Sequence, residues 1–145
     1  MTEPTDGVIT LRLVADRPAA PARGWLRALH FEIVTVADGE RVGRVDLRLG
    51  YTTDVVRYGG HIGYGVDERH RGHGYAARAC LLCRPHARAH GMDVLWITCN
   101  PDNWASRKTC ERIGAALVEI VALPEDNDQY QRGETHKCRY RWIVY

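Results

Sequence analysis

The decisive stretch is GHIGYGVDERHRGHGYAARA, residues 60–79. Ile62, Tyr64 and Val66 alternate with small residues, which is the period of a strand. A charged turn follows, Arg69-His70-Arg71-Gly72-His73-Gly74, and then a helical pattern. The first N–H groups of a helix have no internal partner, and the helix dipole adds partial positive charge beside them. Gly72 and Gly74 let the backbone approach a ligand with no Cβ in the way. Arg69, Arg71 and Arg78 bring full charges to the same place. Strand, turn and helix together make a site for a phosphate or pyrophosphate. The two commonest nucleotide loops do not fit: no Gly-Lys-Ser/Thr follows, and the glycines lack the dinucleotide spacing.

Outward from this stretch the chain reads as alternating short elements. Residues 7–15 form a weak strand, residues 16–24 a proline- and alanine-rich loop, and residues 31–36 a second strand. Asp38-Gly39 signals a hairpin. Over residues 42–49, Val45, Leu47 and Leu49 face one way and Arg44, Asp46 and Arg48 the other, so this strand is half buried. Residues 50–57 are a polar connection, and residues 59–66 the central strand. The helix after the glycine turn runs to about His90, with Gly91 as its stop and with Tyr75, Ala76, Ala79, Cys80, Cys83 and Ala87 on one stripe. Pro85 removes one of its hydrogen bonds and should kink it. Residues 93–100 (DVLWITCN) are a buried strand. Asn100 and Pro101 are expected to cap and open a second helix, which Gly114 ends. Strands over residues 115–123 and 137–145 complete the chain.

A length of 145 residues fits one domain, and 45% hydrophobic residues suffice for one core. The net charge is only +2, which argues against a nucleic-acid binder. MTEPTDGVITLRLV lacks a secretion-signal pattern, and no stretch has the length of a membrane span. The expectation is a cytoplasmic protein that binds neither membrane nor nucleic acid. Its five cysteines are read as reduced and apolar. Cys80, Cys83, His86 and His90 have a metal-like spacing, yet all would sit on one helix around Pro85, so no metal is expected.

Two motifs carry a family resemblance. Arg69-x-x-Gly72-x-Gly74, opening a helix after a strand, resembles the pyrophosphate loop of the GNAT superfamily of acyl-CoA-dependent N-acyltransferases. Asn103-Trp-Ala-Ser106-Arg-Lys-Thr-Cys110-Glu-Arg-Ile-Gly114 is similar to that family's fourth-helix pattern. The likeness extends from about Val42 to the C-terminus. It implies an α/β (α+β) GNAT fold over residues 1–145: a central mixed, mostly antiparallel sheet flanked by helices and splayed between its fourth and fifth strands. It implies transfer of an acetyl group from acetyl-CoA to a primary amine of a small molecule, by direct attack in a ternary complex. The alternative is a non-catalytic module that senses acyl-CoA. One departure lies early: the helices that wall the acceptor site in relatives have no room between the first two strands.

The resemblance assigns the cofactor to Val66, Arg71, Gly72, His73, Gly74, Tyr75, Ala76, Asn103 and Ser106. Asn103 would bond the pantetheine arm, and Ser106 would lie beside it. The amide-bearing arm can pair with a free strand edge over Tyr64–Val66. A backbone N–H near Val66 could then stabilise the oxyanion. Relatives often place a proton-donating Tyr where this chain has Cys110. Two readings of Cys110 stand, a weak acid or simple packing. His61 is the best candidate for general base, against a structural histidine bonded to a carbonyl. Tyr64, on the opposite face of the strand, is the other catalytic candidate. Glu32 and Tyr140 are reserves, and His70 and His73 suit phosphate better than base chemistry. The basic and aromatic residues 130–142 read as RNA-binding, as a two-faced strand or as acceptor lining. Unpaired strand edges leave room for a homodimer.

Overall fold

The computed structural model describes residues 3–145. Its strands form two antiparallel sheets. One, in the order β1 (Ile9–Arg17), β2 (Arg27–Thr35), β3 (Arg41–Leu49), β4 (Ile62–Val66), precedes the glycine turn. The other, in the order β5 (Val94–Cys99), β7 (His136–Ile143), β6 (Ala116–Ala122), follows it. The expected splay lies between β4 and β5, which are not paired along their length. Helix α1 (Tyr75–Ala89) packs across β1, β3 and β4, while α2 (Trp104–Arg112) packs on β5. A short helical turn, α3 (Asp128–Gln131), sits in the acidic connection before β7.

Strand alternation builds the core. Phe31, Ile33, Val45 and Leu47 are buried under α1, where Ala79, Cys80, Cys83 and Ala87 meet them. Each such side chain contributes on the order of 1.5–3 kcal/mol when large and fully buried. The buried stripe of α1 also takes in Ala77 and His86; Tyr75 and Ala76, expected on it, instead border the cleft described below. His86 packs on Phe31 with ring centroids 5.0 Å apart. Pro85 lies inside a continuous α1, and the Leu81 carbonyl it leaves without a helical donor accepts from Arg84 Nε at 3.2 Å. Gly43 is fixed by contact: a Cβ there would stand 2.3 Å from the Gly65 carbonyl oxygen.

Three sequence expectations are corrected. β2 begins at Arg27, not Phe31, because Arg27 and Ala28 still pair with Leu49 and Arg48 and Arg27 holds Asp16. The connection before β4 contains a wide helical turn, Val55–Gly59, closed by the Gly60 N–H on the Val55 carbonyl. The cap of α2 is Asn103, whose Oδ1 accepts from the Ser106 N–H at 3.1 Å. Asn100 cannot fill that role, since its side chain is bonded to Glu134 and Lys137. The loop between β1 and β2 holds a short turn, Pro21–Arg23, and among the described residues no helix from this loop covers the Arg44–Asp46–Arg48 face of the first sheet.

Candidate active site

A cleft of about 930 Å³ runs from the glycine turn into the gap between β4 and β5. At its outer end Gly72 and Gly74 adopt φ of +89° and +73°, a region that costs other residues about 1–2 kcal/mol. The bends aim the start of α1 at the cleft. No backbone or side-chain group among the described residues takes the N–H groups of residues 72–77. A cluster of bare donors at a helix mouth has the charge and geometry to hold an anion. His70, Arg71, His73, Tyr75 and Ala76 line this end of the cleft.

The cations differ from the expectation. Arg69 is paired with Glu40, and Arg78 with Asp6 at 2.9 Å, both away from the cleft. Their places are taken by Lys108 and Arg112, one turn apart on α2. Arg112 Nη1 lies 3.0 Å from where a Cβ on Gly74 would be. These residues escaped the sequence reading; their i, i+4 spacing beyond Ser106 is the signal that could have found them. Arg71 stays in the cleft, with Nε donating to the Val66 carbonyl at 3.1 Å.

Further in, the cleft runs along the edge of β4. Arg48 N–H bonds the His61 carbonyl and Asp67 N–H bonds the Val42 carbonyl, which sets the phase of the β3–β4 ladder. By alternation the backbone groups of Ile62, Tyr64 and Val66 face the gap. Asn103 lines the opposite wall. Its Oδ1 is committed to capping α2, so its amide Nδ2 is the group left for a ligand.

Tyr64 and Ser106 meet across the gap, Oη to Oγ at 2.6 Å. Burial, with neighbouring thiols including Cys110, pushes the Tyr64 hydroxyl well above its usual range, and the Ser106 bond offsets only part of this. Cys110 is fully buried beneath Tyr64, does not line the cleft, and is pushed up to about 12 by that burial. The packing reading of Cys110 therefore replaces the acid one.

His61 is also corrected. It is fully buried; Nε2 donates to the Gly50 carbonyl at 2.8 Å, and Nδ1 accepts from the Trp96 N–H at 2.9 Å. Its own N–H bonds the Trp96 carbonyl at 2.6 Å. His61 thus joins the two sheets at the closed end of the gap, with no ring nitrogen left to act as a base. Glu32 is held by Arg12 and Arg41, and Tyr140 is buried against Arg107; neither lines the cleft. The other wall carries Thr98, Asn100, Glu134 and Lys137. On β7, Cys138, Tyr140 and Trp142 turn to the core, while Arg139 bonds Glu119 and stacks on Trp96 at 4.2 Å. Lys137 and Arg139, expected on a solvated face, are buried at 5% and 7%, so β7 is covered on both sides over residues 137–140.

A model of the acetyltransferase (GNAT) domain matches residues 7–116. No curated protein matches the chain. Among solved structures, the chain is similar to a ribosomal L7/L12 alpha-N-protein acetyltransferase in complex with coenzyme A (19% identity, TM-score 0.69, 99% of this chain and 98% of that one). It is similar to an acetyltransferase from Agrobacterium tumefaciens (20% identity, TM-score 0.66, 98% and 94%). It also resembles a microcin C7 self-immunity acetyltransferase in complex with acetyl-CoA and AMP (20% identity, TM-score 0.62, 81% and 61%).

Proposed function

Given that this chain belongs to the GNAT acetyltransferase family, we propose that it transfers the acetyl group of acetyl-CoA to a primary amine of a small molecule, by direct attack in a ternary complex. The observation that carries this reading is the run of free N–H groups at residues 72–77, opening into the parted strands. The donor set fits acetyl-CoA: bare amides and three cations for its phosphates, and a strand edge for its amide-bearing arm. Bound there, acetyl-CoA supplies the activated acyl thioester.

The chain's own residues divide the remaining work. Arg71, Lys108 and Arg112 hold phosphate charge with the N–H groups of Gly72, His73, Gly74, Tyr75 and Ala76. Asn103 Nδ2 serves the arm, with Ser106 beside it. The Val66 N–H faces the gap and serves the thioester carbonyl oxygen. The acceptor attacks as the free amine, its ammonium proton released to water; Tyr64, kept protonated by its burial, gives its proton to the departing sulfur and regains one from the nitrogen as the amide forms. Ser106 fixes the direction of the hydroxyl. Tyr64, from β4, thereby does what a tyrosine at the Cys110 position would do.

The enzyme would work in the cytoplasm, a setting supported by five unpaired cysteines. No helix among the described residues is long and apolar enough to cross a membrane. A homodimer belongs to the same reading, supported by the outer edge of β6, where Leu117, Val118 and Ile120 are exposed.

Thermal melting with and without acetyl-CoA, followed by thiol release across an amine panel, tests the proposal. A raised melting temperature and thiol released with a small amine are expected. No thermal shift overturns it. A shift without thiol release points to the acyl-CoA sensor instead. A protein N-terminus is the second reading for the acceptor, supported by the similarity to an alpha-N-protein acetyltransferase and by the uncovered sheet face. Acetylation of peptide N-termini alone would establish it.

A further inference from the structure

Among the described residues, Glu134 is the only carboxylate that lines the cleft. It is held in a closed triangle. Asn100 Nδ2 donates to its Oε1 at 2.9 Å, Lys137 Nζ donates to the same oxygen at 3.0 Å, and Lys137 Nζ also donates to Asn100 Oδ1 at 2.7 Å. Lys137 is almost wholly buried, with 6% of its side chain exposed, so the triangle is anchored from below. Every short contact uses Oε1. No group among the described residues takes Oε2.

The other acids on this side of the sheets are committed. Asp46 lies against Gly63, but its Oδ1 is bonded to His30 at 2.6 Å and its Oδ2 to Arg44 at 2.7 Å. Glu32 has Arg12 on one oxygen and Arg41 on the other. Glu119 holds Arg139. The cleft therefore offers a single carboxylate with an oxygen to spare, fixed in direction by two donors, on the wall facing β4. The Glu134 carboxyl feels opposed influences: burial raises it, while the bonds from Lys137 and Asn100 outweigh that and hold it below the usual range. It is charged at neutral pH.

We propose that Glu134 Oε2 receives the acceptor as an ammonium, which releases one proton to water before the free amine attacks, and that the Asn100–Glu134–Lys137 triangle makes the enzyme selective for amines that arrive as cations over neutral acceptors. This rests on the acetyl-transfer reading above and adds the residue that selects the acceptor. A fixed anion recognises the –NH3+ of an amine through charge and a hydrogen bond. An uncharged alcohol or amide of the same shape offers only part of that contact and leaves the anion unpaired.

The test uses the full chain saturated with coenzyme A, so that nothing turns over. Butylamine, putrescine and alanyl-alanine amide are titrated by calorimetry into the wild type, Glu134→Gln and Glu134→Asp, with butanol as the neutral control. Coenzyme A affinity and melting temperature are measured for each protein. The expected result is binding of at least one amine and none of butanol. Glu134→Gln should lose at least tenfold in amine affinity with coenzyme A affinity unchanged, and Glu134→Asp should fall between. Equal amine affinity in Glu134→Gln, or equal binding of butanol, overturns the inference while leaving acetyl transfer standing. So does the absence of any amine binding to the coenzyme A-loaded wild type. Failure of the wild type to bind coenzyme A removes the acetyl-transfer reading itself, and this inference with it. If Glu134→Gln melts too low to titrate, the Glu134→Asp comparison carries the decision.

Discussion

The hydroxyl of Tyr64 stands 2.6 Å from that of Ser106, tying β4 to α2 across the gap that separates the two sheets. Proton donation to a leaving group is worth about 10²–10⁴-fold in rate. Tyr64→Phe keeps the ring and removes the donor. It should lower kcat by about 10²-fold and leave acetyl-CoA affinity nearly unchanged. Steady-state kinetics with a thiol-trapping assay decide the matter; an unaltered kcat would take Tyr64 out of the chemistry.

Cys110 should behave in the opposite way. Its thiol is buried and does not line the cleft, so it has no contact with a departing sulfur there. Cys110→Ala should leave kcat within a few-fold and lower the melting temperature through the small cavity it opens, a cost of about 1 kcal/mol for a group of this size. A pH–rate profile that changes shape in this variant would restore the thiol as a participant.

The anion site makes a sharper prediction. At Gly74 a side chain meets both an unfavourable φ of +73° and Arg112 Nη1 at 3.0 Å. Gly74→Val should cost about 1–2 kcal/mol of stability from φ alone and abolish the acetyl-CoA thermal shift. Gly72 has φ +89° but open space around a Cβ, so Gly72→Ala should show the strain without the steric clash. Persistence of the thermal shift in Gly74→Val would place the phosphates elsewhere.

Lys108 and Arg112 should contribute affinity and little to rate. Charge-assisted hydrogen bonds are worth about 1.5–3 kcal/mol, so Arg112→Gln should weaken coenzyme A binding by roughly tenfold or more. The loss should shrink as salt rises, because exposed charges are screened over about 8 Å at physiological ionic strength. Calorimetry at two salt concentrations checks both the size and the trend.

His61 predicts an acid-side loss of stability. Burial pushes its ring down to about 4, with the Gly50 bond opposing and Arg48 adding to the depression. The folded state holds the neutral ring, so this contribution is complete above the unfolded value near 6.5 and is lost as pH falls toward 4. At about 1.4 kcal/mol per unit, it amounts to on the order of 3 kcal/mol. His86, lowered by burial, acts in the same direction. Denaturant midpoints at pH 7 and pH 4.5 should differ less in His61→Gln than in the wild type, and an identical difference would refute the assignment.

The parts of this molecule visible in its sequence are those encoded by local pattern. Alternation in residues 42–49 and the glycine pair at Gly72 and Gly74 depend on neighbours in the chain, and the strand and the turn opening a helix followed from them. What escaped depends on partners far away. Asn100 and Asn103 are equally good caps as letters; only Glu134 and Lys137, beyond β6, remove Asn100 from the choice. His61 looks like a base until Gly50 and Trp96 occupy both of its nitrogens. Tyr64 meets Ser106 because strand and helix converge in space, a relation no spacing rule contains.

The joint that His61 makes with Trp96 has a mechanical meaning. β4 extends five residues beyond His61, about 16 Å at roughly 3.3 Å per residue. With its fulcrum at Trp96, a tilt of about 5° there would move the far tip of this lever by about 1.4 Å, using that same rise per residue. Displacements of that size at reacting groups cost about 10²-fold in rate. Substitutions around the buried imidazole, remote from any substrate, would therefore tune turnover by changing an angle.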